Sequence, residues 1–154
     1  MPAKHNLTEL DRVLYNINAF DLLGLNGLSP EEQNELTLRF ARAALRAGIE
    51  KYLLDSQVSN QTLENIENRF NGQISSLEAQ EYLAKTFPGI TDTIKWTTVD
   101  LKKKALMKQA TDFMSNNTDS KADMVYSNLI KSLRTNDLNL FEESFKEYKT
   151  LKGN

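Results

Sequence analysis

Six residues between positions 95 and 108 offer the most suggestive side-chain chemistry in this sequence. They are one tryptophan and five lysines in the same predicted helix: Lys95, Trp96, Lys102, Lys103, Lys104 and Lys108. Within this stretch only Asp100 is acidic. Cationic side chains beside a ring that can stack on a base are typical of contacts to nucleic acid. The sequence therefore allows an anionic partner at this helix, or solvated lysines that flank a buried Trp96.

Lys103 has an unusual place on this helix. A helical wheel puts it within the apolar arc that includes Val99, Leu106 and Phe113. A lysine in such an arc extends its ammonium to solvent, marks a kink, or shows that this side of the helix meets an anionic partner. The sequence leaves these three alternatives open.

Little else in the sequence could support catalysis. There is no cysteine, and the one histidine is His5. These counts exclude disulfides, thiolate nucleophiles and cysteine-ligated metals, and leave no basis for a histidine triad or a histidine-rich metal site. No phosphate-binding glycine loop, dinucleotide fingerprint or EF-hand pattern occurs. We expect a protein that is not an enzyme and has no cofactor; the alternatives are small-ligand binding in an apolar pocket or catalysis by carboxylates alone.

The elements that must position these residues are helices. Apolar residues recur at three-to-four spacing, and no alternating strand pattern is present. Gly24 is placed to close the first helix in the left-handed conformation, and Ser29-Pro30-Glu31-Glu32 is typical of a helix start. The pattern predicts about seven helices, with approximate ranges 7–23, 30–55, 59–72, 75–87 and 91–115, and then two that form a hairpin after residue 118.

These helices predict an all-α fold in one compact bundle. A chain of 154 residues with 40% hydrophobic and 26% charged residues has the size and composition of a single folded domain. The polar run at 115–119 predicts a sub-domain boundary. Residues 1–115 are then the helical core, and residues 118–154 are a C-terminal hairpin that packs on the same unit.

The long second helix is predicted to lie at the centre of the bundle because it is apolar on two sides. The first stripe consists of Leu36, Phe40, Ala43, Ala47 and Leu54, and the second stripe consists of Leu38, Leu45, Ile49 and Tyr52. A helix that is apolar on most sides is normally surrounded by its neighbours. The alternative is that one stripe is a homodimer seam or a groove for another protein's helix. We take the second stripe as the candidate interaction face.

The segment from Phe20 to Gln33, with its Gly-bearing turn and its Ser-Pro-Glu-Glu start, resembles small helical proteins of candidate-phylum bacteria. Phe87-Pro88-Gly89, followed by a further helix, is similar to the later part of the same pattern. The resemblance covers about residues 20–110, and that family has no established activity. It implies a bacterial, cytosolic origin and implies no mechanism.

The sequence therefore predicts a cytoplasmic interaction or structural protein. The first ten residues have no basic segment followed by an apolar run, and no stretch is long and apolar enough for a membrane span. The expected partner is another protein or a second copy of the chain. The alternative partner is nucleic acid, bound through the lysine-rich helix.

Overall fold

A computed structural model of the chain describes residues 6–25, 27–57, 61–70, 73, 76–116 and 119–152. These residues contain α-helices and no strand. Within these ranges there are eight helices: α1 (Glu9–Asn16), α2 (Ala19–Leu23), α3 (Pro30–Asp55), α4 (Gln61–Arg69), α5 (Leu77–Thr86), α6 (Ile90–Asn116), α7 (Ser120–Thr135) and α8 (Leu138–Lys152). The predicted all-α class is confirmed.

The predicted first helix is divided into α1 and α2. Ile17 has an extended backbone, and the Asn18 side chain accepts a hydrogen bond from the Phe20 backbone N–H at 2.8 Å. Asn18 therefore caps the start of a new helix, since asparagine competes for local backbone donors better than it continues a helix. Gly24 closes α2 in the left-handed conformation, with φ 67°, as predicted.

The chain divides into two compact units. Of the described residues, unit 1 comprises residue 6 and those within 30–99, and unit 2 comprises those within 7–29 and 100–152. This division differs from the predicted boundary at residues 115–118. The last part of α6 belongs to the same unit as α7 and α8, and so do α1 and α2.

Unit 1 is built around the second half of α3. An apolar cluster in this unit consists of Leu45, Ile49, Tyr52, Leu53, Leu63, Ile66, Leu83 and Ile90. Gly48 allows the α6 backbone to come close to α3, because a Cβ at that position would lie 2.9 Å from the Cα of Ile94. The Tyr52 hydroxyl donates to the Pro88 carbonyl at 2.8 Å. These contacts fix α3, α5 and the first half of α6 in one core.

Unit 2 has an aromatic core. The α7–α8 hairpin contributes most of the rings, with neighbouring centroids 5.0 to 6.4 Å apart; the rings are Phe113, Tyr126, Phe141, Phe145 and Tyr148. The hairpin turn is fixed by Asn136 in the left-handed conformation and by Asp137, whose carboxylate accepts from the Leu140 N–H at 3.1 Å. Asp137 therefore caps the start of α8, because its carboxylate pairs with a backbone N–H of the first turn.

Candidate functional site

The candidate interaction face on α3 is for the most part core. Leu45, Ile49 and Tyr52 are buried in unit 1, whereas Leu38 is 51% exposed. The expectation that these four side chains form a partner surface is therefore wrong for three of them, because helices of the same unit cover the second half of this stripe. Leu38 alone remains available.

The first stripe is the one that the structure leaves open. Leu36 and Ala43 are exposed, Leu54 is 76% exposed, and Phe40 and Ala47 are half-buried. From Pro30 to Arg39 every residue is exposed except Gln33, which is half-buried. The first half of α3 is thus a helical segment that packs little against the described residues of its own chain.

Lys102 is buried and serves as a structural anchor. Its ammonium donates to the carbonyls of Leu14, Tyr15 and Ile17 at 2.9, 3.0 and 2.7 Å. The last carbonyls of a helix have no intrahelical partner and carry partial negative charge, so a cation at this end satisfies and neutralises them. Burial lowers the pKa of Lys102 from its ordinary value. Lys102 therefore caps the C-terminus of α1 and is not available to an external anion.

Lys103 also has partners inside unit 2. Its ammonium lies 2.7 Å from an Asp11 carboxylate oxygen and donates to the Asn136 side-chain oxygen at 2.6 Å. Asp11 forms a capping box with Thr8 at the start of α1. Burial by itself raises the pKa of Asp11, but the charge and hydrogen bond of Lys103 and the Thr8 N–H lower it below the ordinary value. Because the Lys103 ammonium is held by Asp11 and Asn136, it is not part of a solvated surface that meets an anionic partner, which was one of the three alternatives for this residue.

The remaining residues of the lysine-rich segment also have partners of their own. Lys104 pairs with Asp100 and Lys108 pairs with Asp112, each one turn away on α6. Lys95 and Trp96 are half-buried in unit 1, where the Lys51 ammonium lies 5.2 Å from the Trp96 ring centroid. The six residues of the predicted cationic surface therefore have different roles. Lys102 and Lys103 make contacts inside unit 2, Lys104 and Lys108 form exposed i,i+4 ion pairs, and Trp96 has the Lys51 ammonium near its ring.

Sequence reasoning missed Gln109. Its amide donates to the Leu23 carbonyl at 3.0 Å, at the C-terminus of α2, and its oxygen accepts a hydrogen bond from the Tyr148 hydroxyl. Burial, with a smaller contribution from Tyr126, raises the pKa of the Tyr148 hydroxyl. No local sequence signal identifies such a residue, because its two partners are 86 and 39 positions away.

A groove of about 430 Å³ lies between α1 and α8 in unit 2. Its lining is mainly apolar, from Val13, Ile17, Phe141 and Phe145, and its α8 edge also carries the charged residues Glu142, Lys146 and Lys149. This volume is within the range of small-molecule sites, which are typically apolar with a few polar groups. No sequence pattern predicts this groove, because its two walls are more than a hundred positions apart in the chain.

Neither a metal centre nor a membrane span is found in the described part of the chain. No cluster of three or more histidine, cysteine, aspartate or glutamate side chains there could hold a metal ion. None of the described helices combines the length and the apolar character that crossing a bilayer requires. His5 lies outside the described residues.

No family model, curated protein or solved structure matches this chain. The resemblance to small helical proteins of candidate-phylum bacteria stays a prediction.

Proposed function

We propose that this chain is a non-catalytic interaction protein that pairs with a second copy of itself through the exposed first half of α3. The observation that carries the proposal is the mostly exposed segment from Pro30 to Arg39, which presents Leu36 to solvent and continues to the half-buried Phe40. A short helix without tertiary packing is marginal in water, because most helical stability in proteins comes from packing of an apolar face. A second apolar surface is therefore expected to cover it.

The charge pattern of this segment favours a second copy in antiparallel orientation. Its first turns are acidic and the following turns are basic; the residues are Glu31, Glu32 and Glu35, then Arg39, Arg42 and Arg46. Two such helices in parallel oppose like charges, whereas an antiparallel pair places the acidic end of each beside the basic part of the other. Opposite charges at the edges of a helical seam favour one orientation and partner. The segment is thus complementary to itself.

The heptad positions give a definite register for this pair. With Leu36 at heptad position d and Phe40 at position a, an axis near Leu38 places Leu36 of each copy beside Phe40 of the other. Glu32 and Arg46 then both occupy g positions and face each other across the edge of the seam. Arg46 already contacts Glu50 and Glu67 within its own chain, at 3.3 and 3.2 Å. Exposed pairs of this kind contribute little stability, so rearrangement toward a second copy costs little.

A matched pair of substitutions tests the seam. Leu36→Glu removes a leucine from the proposed contact. Leu38→Glu removes another exposed leucine, 51% exposed against 36% for Leu36, about 160° around the same helix. We expect light scattering after gel filtration to give the mass of two chains for the native protein and for the Leu38 variant, and of one chain for the Leu36 variant. Native protein that stays at one-chain mass at high concentration, or dissociation by the Leu38 variant alone, would refute the proposal.

Charge reversal tests the antiparallel register independently. Glu32→Arg places two arginines opposite each other in a homodimer, and Arg46→Glu places two glutamates opposite each other, so each variant should dissociate. A mixture of the two variants restores an opposite-charge pair at both ends, and we expect a heterodimer, detected by native mass spectrometry. A mixture that stays monomeric while either single variant dimerises would contradict the register.

A further inference from the structure

The groove between α1 and α8 has an aromatic floor. The rings of Phe141 and Phe145 stack with centroids 5.0 Å apart and an interplanar angle of 14°. Val13 and Ile17, both half-buried, form the opposite wall from α1. Because α8 rises ~1.5 Å per residue, the apolar strip from Phe141 to Lys149 is ~12 Å long. These dimensions suit the aliphatic or aromatic body of a small molecule.

One end of the groove is cationic. Lys146 and Lys149 are exposed on α8, and the Lys149 ammonium lies 5.2 Å from the Phe145 ring centroid, directly beside the apolar floor. Unlike Lys104 and Lys108 on α6, neither pairs with a carboxylate among the residues that the structure describes. Glu142 lies at the opposite end of the strip, one to two turns toward the start of α8. The groove is therefore positive at one end, apolar along its length and negative at the other.

We propose that this groove binds a small amphipathic carboxylate, with the carboxylate at Lys146 and Lys149 and the apolar body against Phe145 and Phe141. Charge complementarity fixes the orientation, because the reverse orientation brings the ligand carboxylate beside Glu142. The site lies in unit 2, and its occupancy is independent of whether α3 pairs with a second copy.

Calorimetric titration of the full chain with three ten-carbon probes tests the site, with the ionic probes below their micelle concentrations and the alcohol below its solubility limit. Decanoate supplies the proposed charge, decanol supplies only the apolar body, and decylamine supplies the opposite charge. We expect decanoate to bind most tightly and decylamine most weakly. Equal binding of decanoate and decylamine, or no binding of decanoate, would overturn the proposal.

Two variants locate the binding. The double variant Lys146→Gln, Lys149→Gln should weaken decanoate at least about tenfold and leave decanol unchanged. The control double variant Lys121→Gln, Lys131→Gln removes two exposed lysines from α7 and should bind decanoate as the native protein does.

A groove-filling variant, Val13→Trp, tests the apolar body and should weaken decanoate and decanol together. Far-UV circular dichroism and thermal unfolding establish that each variant is folded. If the α7 control loses as much affinity as the α8 variant, the effect is one of net charge and the site is wrongly assigned. A groove-filled variant that still binds decanoate at native affinity would also overturn the assignment.

Discussion

Replacement of Lys102 by methionine is the most informative perturbation of unit 2. Methionine keeps much of the length and apolar stem of lysine but removes the ammonium that donates to three carbonyls at the end of α1. Lys102 is 7% exposed, so its stem packs inside the unit in either case. The substitution therefore isolates the capping interaction from the packing.

The expected loss is the difference between two larger quantities. Three hydrogen bonds from a charged donor contribute about 5–9 kcal/mol together. The buried ammonium costs several kcal/mol of desolvation, which methionine does not incur. Tyr15 is 40% exposed, so water can reach part of the carbonyl cluster once the ammonium is gone. We expect Lys102→Met to reduce the free energy of unfolding of unit 2 by about 2–4 kcal/mol.

Urea unfolding followed by circular dichroism measures this loss, and amide hydrogen exchange locates it. The matched control is Lys104→Met, two positions along α6, where an exposed pair with Asp100 is worth about 0–1 kcal/mol. Exchange should increase most in α1 for the Lys102 variant and stay near native for the control. A Lys102 variant within about 1 kcal/mol of the control, with α1 protected as in the native protein, would refute the capping role.

Two further predictions concern the cores of the units. Gly48→Ala should destabilise unit 1 by about 1–2 kcal/mol despite a helix-propensity gain of about 1 kcal/mol, because the new Cβ would lie 2.9 Å from the Ile94 backbone. Urea unfolding measures the change. If Gly48→Ala stabilises the protein by the full propensity gain, α3 and α6 can move apart at this position without cost and the prediction is wrong. The pKa of Asp11 is lowered in the folded protein, so ionised Asp11 stabilises the fold. This contribution is complete above the ordinary pKa of 3.8 and is lost as the pH falls through the folded-state pKa. Asp11→Asn should therefore reduce the loss of stability between about pH 5 and pH 2, and an unchanged acid-unfolding profile would contradict the role of its pair with Lys103.

Helix starts and stops are the part of the fold that local chemistry predicts well. Pro30 begins α3, Gly24 closes α2 and Asp137 caps α8, because each depends on one side chain and on backbone groups within about four positions. The same logic at Asn18 was overlooked, and a single helix was predicted where two occur. Helix caps can be predicted from sequence because the capping side chain and its backbone partners are close together in the chain.

The candidate sites were harder to predict because burial is a property of the fold. Leu45 and Leu36 are both leucines on α3, yet one is 9% exposed and the other 36%. Helical periodicity identified two apolar stripes, but it could not show which stripe the chain covers with its own helices. The choice depends on where α4, α5 and α6 pack, and those contacts are distant in sequence.

The lysine-rich helix α6 is the clearest example of the difference between what the sequence determines and what the tertiary structure determines. The sequence by itself determined that α6 is a helix, that it carries five lysines between positions 95 and 108, and that Lys103 lies in an apolar arc. Only the tertiary structure decided that Lys102 caps α1 and that Lys103 pairs with Asp11, across more than eighty positions. The physical reason is that a lysine's role depends on what its ammonium can reach, and packing alone brings carbonyls and a carboxylate within that reach.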